Sequence, residues 1–192
     1  MSTLIQNAQV LTAGTGQGRL SQYYGLADTT QTTVVAASSM NLSTPYVIPA
    51  GEASYAGAAY ELSCAGQGQW GSTQQALTFA MYLGGGTFGS GSAVAATAFS
   101  ASSNFSWGLV MKLTCADGVS AWWCDLYGTV SLQNSIVPGV AASNSVALAS
   151  TNSGAHLAAV TSPVTVAVQA KWASVTGTPT ITNYWTTFRK VA

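Results

Sequence analysis

Four stretches of this chain alternate large apolar side chains with small or polar ones at a period of two. In one of them, Phe105, Trp107, Leu109, Met111, Leu113 and Cys115 hold every odd position. A helix would scatter these residues around its circumference, whereas a strand puts them all on one face. The other runs are Leu77, Phe79, Met81, Leu83; then Trp122, Cys124, Leu126, Gly128, Val130, Leu132; and Val164, Val166, Val168, Ala170, Trp172. No run of similar length keeps a 3.6-residue period. The expected fold class is therefore all-β, an antiparallel β-sandwich, with a jelly roll as the expected topology.

Residues 1–30 differ from the remainder. They are polar and glycine-rich through Ala13-Gly14-Thr15-Gly16-Gln17-Gly18, and read as an extended N-terminal arm that needs a partner to hold it. Residues 31–192 read as the sandwich domain. Strands are expected over Thr32–Ala37, over an edge segment Thr44–Gly51 whose prolines delete ladder donors, and over Ala58–Trp70, Ala76–Leu83 and Ala93–Phe99. Asn104–Ala116 and Val119–Gln133 are expected to form the longest hairpin, closed by a two-residue Asp117-Gly118 turn. Weaker strands are expected over Val146–Ala149 and Ala155–Val160. Val164–Ala173 and Thr180–Val191 read as a closing pair of strands, giving eight to ten in all and no helix.

Charge narrows the function classes. Only 5% of the residues are charged, and five basic side chains balance five acidic ones, against roughly 25% charged in ordinary soluble domains. No basic stripe exists to track phosphates, so nucleic acid is not an expected partner. Such a surface has little repulsion to keep copies apart, which suits a subunit built into an assembly. The N-terminus lacks the basic and apolar regions of a signal peptide, and no stretch is long and apolar enough for a transmembrane helix. Neither export by that route nor membrane insertion is expected.

Catalysis needs titratable groups brought together, and few are present. His156 is the lone histidine, in a turn followed by small residues, and reads as a surface or interface side chain rather than a base. Cys64, Cys115 and Cys124 sit inside strand patterns and read as core thiols; the two-residue turn would set Cys124 opposite Met111, not Cys115. There is no metal-ligand spacing and no phosphate-cradling loop followed by a helix; of the carboxylate pairs that could be proposed, Glu52 with Glu61 and Asp117 with Asp125, Glu52 lies in a loop and Asp117 is used by the turn. No enzyme activity, metal or cofactor is expected. The second face of strand 119–133 carries Trp123 and Tyr127 away from the core that Trp122, Cys124 and Leu126 fill. Trp185, facing opposite to Tyr184, raises the same prospect, so Trp123, Tyr127 and Trp185 are candidate subunit-interface residues.

The polar arm, the low-charge β-rich domain and several strand and turn words resemble structural proteins of tailed bacteriophages. The words are Tyr46-Val47-Ile48-Pro49-Ala50-Gly51, Tyr60 to Gly68, Leu77 to Gly85, and Val168-Gln169-Ala170-Lys171-Trp172-Ala173 followed by Thr180-Ile181-Thr182-Asn183. Over residues 30–192 the chain is similar to phage virion proteins with a tumour-necrosis-factor-like jelly roll. The resemblance implies a homotrimer located in the virion after synthesis in the host cytoplasm. It implies a capsid decoration or minor head protein on the major capsid protein, or alternatively a tail or fibre-tip adhesin joined to tail proteins and recognising host glycan. A free carbohydrate-binding module stands outside the virion readings. In the decoration reading Leu4, Ile5, Val10, Leu11, Arg19, Leu20, Tyr23 and Tyr24 of the arm contact the shell. No active site is implied.

Overall fold

A computed structural model of the chain describes residues 32–34, 39–43, 45–132, 145–151 and 156–192. The arm with its eight candidate contact residues lies outside them. The described residues form strands β1 (Thr32–Val34), β2 (Met40–Asn41), β3 (Tyr46–Ile48), β4 (Ala58–Gln69), β5 (Leu77–Leu83), β6 (Gly86–Val94), β7 (Asn104–Cys115), β8 (Ala121–Leu132), β9 (Ser145–Thr151), β10 (His156–Leu157), β11 (Val164–Trp172) and β12 (Thr180–Lys190). All pairings are antiparallel and fall into two sheets, so the molecule is a β-sandwich. The larger sheet has seven strands in the order β1-β12-β4-β7-β8, with β9 and β10 sharing the outer edge of β8. The smaller has five, in the order β2-β11-β5-β6, with β3 beside β2 on the same edge of β11.

The pairings nest. β1 pairs β12, β2 and β3 pair β11, β4 pairs β7 and β5 pairs β6. Strands β8 to β10 interrupt this series as an added margin of the larger sheet.

The period-two runs meet in the space between the sheets. Leu109, Met111, Leu113 and Cys115 of β7, Trp122, Cys124 and Leu126 of β8, and Val164, Val166, Val168 and Trp172 of β11 are all buried. Aromatic rings join the sheets at three levels. At one end Trp172 of the smaller sheet meets Trp70 edge to face at 5.1 Å and Phe105 at 6.3 Å. Midway Phe79 meets Trp107 at 5.7 Å. At the other end Tyr46 stacks on Phe188 at 5.3 Å, and Phe188 on Tyr60 at 5.8 Å. Such pairs add about 0.5–1.5 kcal/mol each beyond area burial.

Three local expectations are corrected. The hairpin does not close as a two-residue turn: Ala116 N–H donates to the Ala121 carbonyl at 2.7 Å, which leaves Asp117–Ser120 as the loop and puts Cys124 opposite Leu113. The reason is Asp117, whose Oδ1 accepts from the backbone N–H of Val119 and Ser120 at 2.8 Å and of Ala121 at 3.0 Å. One acceptor serving three successive donors needs a wider loop, and Gly118 supplies the left-handed step at φ 69°. The register slides by an even number of residues, so every side chain keeps its expected face.

The segment Ala93–Phe99 is not one strand. β6 ends at Val94 and Ala96–Ala98 form a 3₁₀ turn, which aims the Ala96 carbonyl at Trp70 Nε1 (3.2 Å) and brings Phe99 against the Trp70 ring. Nor do β11 and β12 pair. They belong to different sheets, because Trp172 and Ile181 each enter the core from its own sheet and the intervening chain crosses between them. The three cysteines are free and buried, as expected, and burial raises the pKa of each thiol.

The three N–H groups on Asp117 stabilise its carboxylate and lower its pKa from 3.8 to about 2. A depressed folded pKa contributes stability that is full above the unfolded value and disappears as pH falls through the folded one. Asp117→Ala should therefore lower the thermal midpoint at pH 7, and its gap from the parent should close between about pH 4 and pH 2. An equal gap at pH 7 and pH 2 would contradict this role.

Candidate functional site

With one face of each long strand consumed by the core, the other face of the larger sheet is what the molecule presents. The three candidate interface residues all lie on it. Trp123 and Tyr127 project from β8 and are 45% and 40% exposed, and Trp185 projects from β12 at 41%.

Trp185 was expected to face opposite to Tyr184, and it does not. Asn183 pairs with Gly66 and Trp185 with Ala65, leaving Tyr184 as the extra residue of a β-bulge. Inward-facing positions are odd-numbered before the bulge and even-numbered after it: Ile181 and Asn183 are buried, then Thr186 and Phe188. Tyr184 and Trp185 consequently both face outward. The Asn183 Nδ2 amide donates to Thr186 Oγ1 at 2.9 Å on the buried side, which bridges the bulge from beneath.

Charge is concentrated on the same face. Arg19 and Asp28 lie outside the described residues. Of the other eight charged side chains, Arg189, Glu61, Lys112 and Asp125 are successive cross-strand partners on β12, β4, β7 and β8. Arg189 Nη2 donates to Glu61 Oε1 at 2.6 Å, and the Lys112 ammonium lies 5.4 Å from the centre of the Tyr127 ring. Directly opposed opposite charges favour this register by about 0.2–1 kcal/mol per pair. The second described ion pair closes the end of the sandwich. Lys190 Nζ meets Glu52 Oε1 at 2.7 Å and lies 4.9 Å over the Tyr55 ring. Burial there opposes the charged ammonium, but Glu52 and Tyr55 outweigh it and the Lys190 pKa is raised.

Farther along this face, Gln67, Gln69, Asn104, Thr180, Thr182 and Tyr184 line a shallow hollow of about 280 Å³. Its side chains are amides, hydroxyls and one aromatic ring, with no charged group.

The structure also locates the histidine. His156 is half-buried on β10, opposite Trp122, with Nε2 3.0 Å from the Leu83 carbonyl at the end of β5. A carbonyl only accepts, so Nε2 is the protonated nitrogen. The ring straps the margin of one sheet to the end of a strand in the other. Among the described residues no three His, Cys, Asp or Glu side chains gather closely enough to hold a metal ion.

Comparison with protein-family models, with curated proteins and with solved structures finds no match.

The exposed aromatics should be separable from the core by stability. At nanomolar concentration, where copies are apart, Trp123→Ala and Trp185→Ala should each change the urea-derived unfolding free energy by less than about 1 kcal/mol, whereas Trp172→Ala should cost about 3–5 kcal/mol. A Trp123 or Trp185 loss as large as that of Trp172 would assign those rings to the core.

Proposed function

We propose that this chain is a non-enzymatic structural subunit of a bacteriophage virion, a capsid decoration or minor head protein that binds the assembled shell. The observation that carries this reading is the outer face of the larger sheet. It is broad and nearly neutral, displays four large aromatic side chains and balances its charges within one ladder. Trp and Tyr are the residues over-represented at protein interfaces.

The nested pairing supports the jelly-roll reading of the fold. Strand pairs β1·β12, β3·β11, β4·β7 and β5·β6 follow from winding one long hairpin into two sheets. The mechanism is mass action: a subunit that binds only the assembled shell stabilises that shell, and copies repeated over a lattice act through avidity. The partners are copies of itself, met through this face, and the major capsid protein, met through the N-terminal arm. The half-buried, carbonyl-bound His156 gives no support to an enzymatic reading, since its Nε2 is occupied by Leu83.

A second reading, an adhesin at the tail or fibre tip, is favoured by the hollow at Gln67, Gln69, Asn104 and Tyr184. Amides, hydroxyls and an aromatic ring suit a neutral sugar.

Immunogold electron microscopy of purified particles, with antibody raised to this chain, separates the readings. Hundreds of labels over the icosahedral shell are expected. A few labels confined to the tail would favour the adhesin, and unlabelled particles would overturn both.

A further inference from the structure

The charge ladder has a symmetry of its own. Across β12, β4, β7 and β8 it reads Arg189, Glu61, Lys112, Asp125: positive, negative, positive, negative. An alternating row of even length is complementary to its own reversal. Laid on a second copy about a twofold axis parallel to the strands and midway between β4 and β7, Arg189 comes over the second copy's Asp125, and Glu61 over its Lys112. A twofold axis running across the strands would set each charge on its own like.

The same axis lies at the middle of the sheet. In the order β1-β12-β4-β7-β8-β9, it places β1 over the second copy's β9 and β12 over its β8. The aromatic side chains then interleave. In the register row next to the ladder, Thr187, Ser63, Val110 and Tyr127 follow one another across the sheet, and in the row after it Trp185, Ala65, Gly108 and Thr129. Reversal sets Tyr127 over Thr187 and Trp185 over Thr129, so each ring meets a smaller side chain. The centre of the face, where the copies approach, is Ser63, Ala65, Gly108 and Val110.

Sheet twist does not spoil the match. Aligned sheets cross at about 30°. The end members of the ladder stand roughly 7 Å from the axis and move by about 4 Å, less than the roughly 7 Å between rows. The central face spans roughly 20 by 30 Å, or about 1,200 Å² counted over both copies, the lower bound for a stable specific interface.

From this we infer that the outer face of the larger sheet is a homodimer interface, paired face to face by a twofold axis along the strands. The aromatics supply the buried area, and the ladder sets register and orientation, the role in which interfacial charge is most effective. This pairing is distinct from the threefold implied by resemblance, and it does not rest on the virion reading.

Native mass spectrometry of the full chain at micromolar concentration tests it. The parent should be a dimer or a larger even-numbered particle. Glu61→Lys with Asp125→Lys makes the ladder wholly positive, and Arg189→Glu with Lys112→Glu makes it wholly negative. Each double variant should dissociate at least about 100-fold more readily than the parent, and mixing the two should restore pairing as a heterodimer. Gly108→Arg guards against misfolding of these variants. A Cβ there meets nothing within 4 Å, so this variant should keep the parent's far-ultraviolet circular dichroism while remaining monomeric. A parent that is monomeric or trimeric, a dimeric Gly108→Arg protein, or folded charge variants that fail to combine would each overturn the pairing.

Discussion

The aromatic contacts between the two sheets are what the rest of the molecule depends on. Trp172 enters from the smaller sheet to meet Trp70 and Phe105, Phe79 meets Trp107, and Tyr46 meets Phe188. Each long strand has to turn one face inward to supply these rings and the aliphatic side chains around them. That requirement fixes register, because a slip of one residue would carry a whole apolar row into water. It also explains why the Asp117 loop can differ by an even number of residues from a tight turn without disturbing the core.

Turning one face inward determines what the other face shows. With so few charges available, an outer face built from the remaining positions has to be mostly hydroxyls, amides, small residues and a few rings. The larger sheet places four of its charges in one cross-strand ladder that cancels within itself. It also carries a bulge at Tyr184 that turns two aromatic side chains outward instead of one. Such a surface has little to repel a neighbour and several rings to offer one. This links the unusual composition to a proposed role in assembly.

Much of the fold was legible because the signal was local. The alternation at Phe105 to Cys115, at Trp122 to Leu132 and at Val164 to Trp172 marks strands and faces without knowledge of their neighbours. The exposure of Trp123 and Tyr127 follows from parity alone. What depended on nonlocal pairing was not legible. Nothing in the sequence near Trp172 or Thr180 says that β11 and β12 enter different sheets. The ladder joins residues 61, 112, 125 and 189, whose alignment exists only once β12, β4, β7 and β8 are neighbours. The bulge put Tyr184 on the same face as Trp185, against the expected alternation, because an extra residue in a ladder leaves no mark on a hydrophobic pattern. The contact between His156 and the Leu83 carbonyl likewise spans two sheets that sequence could not bring together.

Assembly of the protein should bury the outer face of the larger sheet. Hydroxyl-radical footprinting of the full chain at nanomolar and at high micromolar concentration addresses it directly, read by mass spectrometry at single side chains. Trp123, Tyr127 and Trp185 should lose reactivity at high concentration, while Met40 on the smaller sheet and Tyr55 near the end of the sandwich keep theirs. Unchanged oxidation of those three aromatics, or protection confined to Met40 and Tyr55, would show that this face stays exposed on assembly.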